Sequence, residues 1–127
     1  MKYKDALNTI KRYPLNYSGN CSNIQSHVHE FVASTKLAET GHERHNHRIA
    51  GITGEAIPIG NGHHIHKFCT RTDFYDDHFH EVLGSTCPDI DVTPEKHIHY
   101  VQGHTTVDDN HKHRYEFTTQ IGPSPLT

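Results

Sequence analysis

The chain has 127 residues, a net charge of −3 with neutral histidines, and 32% hydrophobic residues, which suits one domain with a small core. This charge does not favour a nucleic-acid partner, and no apolar run reaches the roughly 18 residues of a membrane helix. Histidine, with 15 residues, is the one strong departure from ordinary composition.

The first 26 residues differ from the rest of the chain. Ala6, Leu7 and Ile10 stand at helical spacing, which predicts a short helix over Lys2–Arg12. We interpret residues 1–26 as an N-terminal arm, followed by a domain over 27–122 and a tail over 123–127. The arm lacks the apolar stretch of a signal peptide, so a cytoplasmic location is the default expectation, with a surface or extracellular assembly as the alternative.

From residue 27 onward the chain repeats a motif. His-x-His occurs six times, at His27/His29, His45/His47, His64/His66, His78/His80, His97/His99 and His111/His113. The eighth residue after each first histidine is always a threonine, namely Thr35, Thr53, Thr72, Thr86, Thr105 or Thr119. The fourth is always apolar or aromatic, namely Phe31, Ile49, Phe68, Val82, Val101 or Tyr115. Fixed spacings of this kind mark an internal repeat.

The fixed positions of the motif are separated by even numbers of residues, which places their side chains on one face of a β-strand. We therefore predict six strands of about nine residues, each opening with its histidine pair. Because 33 residues separate His45 from His78 and His78 from His111, the larger repeat is a pair of strands, present three times. The expected fold is all-β, with six short antiparallel strands in a small barrel, prism or needle of pseudo-threefold or trimeric symmetry. The Gly-, Pro-, Asp- and Asn-rich segments 54–63, 73–77, 87–96 and 106–110 are predicted to be turns.

Short connections make successive strands antiparallel, so three histidine pairs meet at each end of the sheet. One end collects His27, His29, His64, His66, His97 and His99, and the other collects His45, His47, His78, His80, His111 and His113. Six imidazoles complete an octahedron around one divalent ion, which favours Fe2+, Ni2+ or Co2+. If only two pairs share an ion, Zn2+ or Cu2+ is expected.

The other fixed positions are predicted to support these sites. Each threonine hydroxyl is expected to accept the second ring N–H of a ligating histidine and so to fix its tautomer. The small glycines and threonines are expected beside the bulky histidine pairs, and the apolar residues between the two metal layers. His42, His63 and His104 fall outside the register and are interpreted as loop or surface residues, with additional metal contacts as the alternative.

These features predict a structural metal-binding protein that assembles with itself into a homo-oligomer or fibre. Metal storage or buffering is the alternative. A metalloenzyme ranks third, because a catalytic site is usually unique and keeps an open coordination position. Cys21, Cys69 and Cys87 are interpreted as reduced thiols, with an intermolecular disulfide as the alternative.

The segments HVHEFVAST, HFHEVLGST and HIHYVQGHTTVDDNHKHRYEFTT resemble the YmaF family of small bacterial proteins, over about residues 27–122. That resemblance implies histidine-rich β-repeats and no established activity. The His-x-His strand alone is also similar to phage tail-fibre tips and membrane-piercing spikes, in which three chains meet on an axis and six histidines hold an iron ion. Here six copies lie in one chain, which leaves two architectures open: one chain that closes its own pseudo-threefold, or three intertwined chains.

Overall fold

The computed structural model describes residues 26–123. These residues form nine short strands rather than the six predicted, and they confirm the all-β fold class. The helix predicted over Lys2–Arg12 lies outside the described residues. Among residues 26–123, no helix is long and apolar enough to cross a membrane. The strands are β1 (Glu30–Ser34), β2 (Arg48–Ile52), β3 (Ile57–Gly60), β4 (His63–Ile65), β5 (Lys67–Arg71), β6 (Glu81–Ser85), β7 (Asp89–Thr93), β8 (Lys96–His104) and β9 (Arg114–Thr118). A 3-10 turn, Gly41–Glu43, joins β1 to β2.

Three antiparallel hairpins carry the six motifs. Hairpin A pairs β1 with β2, hairpin B pairs β5 with β6, and hairpin C pairs β8 with β9. This pairing confirms the predicted antiparallel architecture. The expectation of a barrel is wrong, because residues 26–123 form four small separate sheets with no closed barrel. A trimeric arrangement stays a prediction.

The hairpins nevertheless contact one another at their ends. The residue after each motif threonine donates its backbone N–H to a carbonyl of a neighbouring hairpin. Hydrogen bonds join Gly54 to Lys67 between A and B (2.8 Å), Cys87 to Tyr100 between B and C (2.9 Å), and Gln120 to Glu30 between C and A (2.8 Å). Isolated bonds of this kind do not make a continuous ladder, which is why the sheets remain separate.

Most motif strands are shorter than predicted and begin after the histidine pair. The motif threonine explains this: Thr53 Oγ1 accepts the backbone N–H of His29 (3.0 Å), in the place of the main-chain carbonyl that a ladder would use. The same hydroxyl donates to the Gly54 carbonyl (2.9 Å). The threonine side chain therefore ends the ladder and turns the chain towards the next hairpin.

Two connections predicted as turns contain strands. β3 lies within 54–63 and pairs with β4, and β7 lies within 87–96 and pairs with the edge of β8 that β9 leaves free. Their cross-strand partners include Ile57 with Ile65 and Ile90 with Ile98. The glycine, proline and acidic residues of these segments led to the turn prediction. The segments also contain alternating β-branched residues, Ile57 with Ile59 and Ile90 with Val92, which favour a strand.

The core is the predicted apolar layer. The six residues at the fourth motif position are all buried, and they form one cluster with Phe117 packed against it. The glycines do not lie beside the histidine pairs as expected. Gly51 and Gly84 instead lie opposite the aromatic rings of Phe31 and Phe68. Only the threonines lie beside histidines, because Thr35 pairs with the second histidine of the facing strand, His47.

Candidate metal sites

The structure brings the twelve motif histidines into two groups at opposite ends of the hairpins. The His27 cluster consists of His27, His29, His64, His66, His97 and His99, and the His45 cluster consists of His45, His47, His78, His80, His111 and His113. These are the two sets that the strand direction predicts. In each, one ligand atom from every ring lies within 4.8 Å of all the others, so either group can hold a metal ion. Each cluster is complete within one chain.

The rings of each cluster are arranged as the corners of an octahedron. Every ring makes an edge contact with all the other rings of its cluster but one, with centroids 4.8–5.1 Å apart around His27. In the His27 cluster, the rings left opposite each other are His27 with His99, His29 with His64, and His66 with His97. The His45 cluster repeats this pattern, with His45 opposite His80. Opposed pairs of this kind are the trans positions of a six-coordinate site.

The distances between ring nitrogens fit the same geometry. Nε2 of His27 lies 3.1 Å from Nε2 of His64 and 3.1 Å from Nε2 of His97. In the other cluster, Nε2 of His45 lies 3.2 Å from Nε2 of His78. The centre of an octahedron with such edges lies about 2.2 Å from each corner, close to the usual metal–nitrogen bond.

Backbone carbonyls fix the tautomer of the second histidine in every pair. Its Nδ1 lies within hydrogen-bond distance of the carbonyl oxygen of the residue that follows a motif threonine in a neighbouring hairpin. The contacts are His29 with Gln120 (3.0 Å), His47 with Asp73 (3.1 Å), His66 with Gly54 (2.8 Å), His80 with Thr106 (2.9 Å), His99 with Cys87 (2.9 Å) and His113 with Lys36 (3.0 Å). A carbonyl only accepts, so Nδ1 carries the proton and Nε2 of the neutral ring presents a lone pair to the centre.

Several of these lone pairs have no partner in the described structure. Nε2 of His66, His80 and His113 is buried and makes no hydrogen bond there. Other Nε2 atoms face each other at 3.1 Å, as in His47 and His78, although both rings donate from Nδ1. Two acceptors at that distance repel, and buried polar groups without partners are costly. A cation at the centre would satisfy all six nitrogens at once.

The threonine hydroxyls contact the histidines through a different atom from the one predicted. All six motif threonines are buried and accept the backbone N–H of a second histidine, as Thr35 does from His47 (2.9 Å). The expected ring contact is seen at Thr86, whose Oγ1 also lies 3.2 Å from Nδ1 of His99. Sequence reasoning missed the main-chain carbonyls that take the ring N–H, because a carbonyl is present at every residue and leaves no sequence signal.

Burial favours the neutral form of nine of the clustered rings, because it lowers their pKa. Desolvation is the main cause that lowers the pKa of His66 to about 3 and that of His113 to about 4, and repulsion from nearby histidines contributes to both values. The same two causes lower the pKa of His27 and of His97 to about 4. Neutral imidazole is the form that binds a metal ion.

Carboxylates also lie near the rings. Oδ1 of Asp73 lies 3.2 Å from Nδ1 of His47, and Oδ1 of Asp89 lies 3.5 Å from Nδ1 of His64. Asp89 also lies 3.2 Å from Nδ1 of His63, a histidine outside the motif register. Although burial opposes it, hydrogen bonds to the carboxylate, including that from the His64 N–H, lower the pKa of Asp89 to about 2.

Fold and site together define a small all-β protein of repeated hairpins with two six-histidine clusters that can each hold a metal ion. The chain belongs to the YmaF family, whose family model, described as spore germination protein GerY/YamF, matches residues 24–121. No curated protein and no solved structure matches the chain. The similarity to phage tail-fibre tips therefore rests on the His-x-His motif alone.

Proposed function

We propose that this chain is a structural metalloprotein in which each six-histidine cluster holds one divalent transition-metal ion. The observation that carries the proposal is the convergence of six ring nitrogens at octahedral spacing, twice in one chain. The orientation of the rings supports it, because Nδ1 of each second histidine faces a carbonyl while its Nε2 points inwards.

A bound ion would act as a cross-link between the three hairpins. Hairpins A, B and C each contribute one histidine pair to each cluster, and isolated hydrogen bonds otherwise join their ends. The apolar layer is small, consisting of six buried side chains and Phe117. Small cores usually need such a staple, and metal binding to a site that forms only in the folded state adds directly to folding stability.

Six neutral nitrogen ligands favour Fe2+, Ni2+ or Co2+ over Zn2+, which prefers four ligands. The four-histidine alternative, with Zn2+ or Cu2+, has less support because each group offers six equally spaced rings rather than two pairs. With six protein ligands an ion has no open position for substrate, so we propose no catalytic role. Self-association is not required to complete either cluster, and its role would be additional to the metal sites.

Metal storage or buffering is the second candidate function. One observation favours it: His27, His64 and His97, the first histidines of the His27 cluster, are only partly buried. An ion held there would be closer to solvent than one in the His45 cluster. The family description suggests spore germination as a setting, and either function is compatible with it.

The test is elemental analysis of the purified full chain after exhaustive dialysis, combined with thermal unfolding. We expect two ions per chain, and one ion in the His97→Ala/His99→Ala variant. The matched control is His42→Ala/His104→Ala, which removes two exposed histidines outside the clusters and should keep both ions. Absence of bound metal in a chain that folds normally, even after incubation with Ni2+, would overturn the proposal.

A further inference from the structure

We propose that the two clusters are not equivalent: the His45 cluster retains its ion, and the His27 cluster exchanges its ion with the solution. This inference rests on the proposed function. It would give one chain a structural ion and an exchangeable ion, so that the structural and the storage functions each belong to a different end of the same fold.

Exposure distinguishes the two clusters. The second histidines are equally buried in both, with 0–1% exposure. The first histidines differ: the side chains of His78 and His111 are each 7% exposed, whereas the side chain of His64 is 16% exposed. His27 and His97 are also only partly buried. A chelator or water molecule can therefore approach one triangular face of the His27 cluster.

Anchoring of the rings differs in the same direction. In the His45 cluster, each first histidine donates from Nδ1 to the carbonyl two residues before it. The contacts are His45 with Glu43 (2.7 Å), His78 with Asp76 (2.9 Å) and His111 with Asp109 (3.0 Å). Within residues 26–123, Nδ1 of His27 and of His97 has no hydrogen-bond partner, and His64 has only Asp89 at 3.5 Å. Partners of this kind hold a ligand in place, and their loss typically weakens metal binding by about 10–100-fold.

Turn geometry is the reason for the difference. Asp76 and Asp77, like Asp109 and Asn110, adopt positive φ in tight turns that lead into a first histidine. These turns aim the carbonyl of Asp76 back at the ring of His78. At the other end, the turns at 61–62 and 94–95 lie one residue further from His64 and His97, which therefore stand inside β4 and β8 rather than directly after the turn.

Charge also favours retention in the His45 cluster. Four carboxylates lie 3.2–3.6 Å from its Nδ1 atoms, those of Asp73, Asp108, Asp109 and Glu39. In the His27 cluster, the corresponding carboxylate is that of Asp89, which lies 3.5 Å from Nδ1 of His64. The four carboxylates are each more than a third exposed, so each contributes little, but all four stabilise a divalent ion.

These differences predict how an ion leaves. Release begins when one ring rotates away and water or a chelator takes its position. In the His27 cluster, the rings of His97 and His27 can rotate without breaking a hydrogen bond from Nδ1. Both side chains are already partly exposed, so this rotation does not bring a buried ring into solvent. In the His45 cluster, the same step at His111 breaks its bond to the Asp109 carbonyl.

The experiment is a chelator challenge of the full chain loaded with Ni2+ and dialysed. Excess EDTA is added, and the release of Ni2+ is followed by its absorbance. We expect two phases of one ion each, with rates that differ by at least about tenfold. Failure to load any Ni2+ would overturn the proposed function itself. Loading of two ions followed by a single phase would overturn only the inequivalence of the clusters.

Matched variants assign the phases. His97→Ala and His111→Ala alter the first histidine of each motif in hairpin C, one in each cluster. His97→Ala should remove the fast phase and keep the slow one, and His111→Ala should have the opposite effect. Asp89→Asn and Asp108→Asn form a milder pair that keeps every ring: the first should accelerate only the fast phase, and the second only the slow phase. A fast phase that responds to His111→Ala or Asp108→Asn would reverse the assignment and refute the inference.

Discussion

The ring of Phe31 lies over the backbone of Gly51 on the facing strand of hairpin A, so closely that a Cβ on Gly51 would meet Cζ of Phe31 at 2.9 Å. Hairpin B repeats the contact at Gly84 and Phe68, with 3.3 Å, and hairpin C repeats it at Gly103 and Tyr115. The motif glycine therefore makes room for an aromatic ring of the core.

Gly51→Ala should destabilise the protein by about 1–3 kcal/mol, because the new methyl group forces the Phe31 ring out of its position. Urea denaturation of the metal-loaded protein measures the loss. Gly84→Ala is the graded control and should cost less, since Phe68 leaves more clearance. Adding Phe31→Leu to Gly51→Ala should recover part of the loss. Equal effects of the two glycine variants would contradict the steric explanation.

Thr35→Val should destabilise the protein by about 1–3 kcal/mol, because it leaves the buried N–H of His47 without its acceptor. Valine has nearly the shape of threonine, so packing changes little. Thr35→Ser keeps the hydroxyl and is the matched control. Thermal unfolding compares the three proteins. If valine and serine cost the same, the hydroxyl is not the reason for the threonine.

The metal-free protein should lose stability in acid. Burial lowers the pKa of His66 to about 3 and those of His27 and His113 to about 4, against 6.5 for an unperturbed histidine. Protons therefore bind the unfolded chain first, so the stability is fully present above pH 6.5 and is lost progressively as the pH falls towards these folded values. Chemical denaturation at pH 8, 6 and 4.5 measures this. A free energy of unfolding that stays level across that range would show that the rings are not desolvated.

Asn110→Val should lower both stability and metal retention. Asn110 has φ of 65°, which a β-branched residue adopts only with strain. Relaxing that strain would move the Asp109 carbonyl away from Nδ1 of His111. Asn110→Gly tolerates the same φ and serves as the control, with retention of Ni2+ unchanged. Loss of Ni2+ from the glycine variant as well would attribute the effect to the asparagine side chain.

Most of what could be predicted about the strands, the two clusters and the core followed from the spacing of residues in the His-x-His motif. The histidines, the apolar residue and the threonine of each motif are separated by even numbers of residues, which predicted the strands. The short connections predicted that successive strands alternate in direction. Those two features were enough to sort His27 and His45 into different clusters. The core followed equally well, because Phe31 and its five counterparts have the same parity as the buried second histidines.

Other features depended on contacts that no local pattern records. The strands β3 and β7 were missed because the Gly- and Pro-rich composition of 54–63 and the acidic and proline residues of 87–96 resemble turns. The barrel was wrong because the threonine hydroxyls end the ladders before the hairpins can join. Asp89 is far from His64 in sequence, and only the fold places it beside the His27 cluster.

The sequence by itself determined which twelve histidines share a face and which six share an end, because strand parity and strand direction are local properties of the chain. Tertiary structure decided that each six converge within a single chain, at nitrogen distances near 3.1 Å. It also decided which ring nitrogen faces inwards, because the carbonyl that takes the Nδ1 proton of a second histidine belongs to a different hairpin. Such a contact exists only once the three hairpins have packed together.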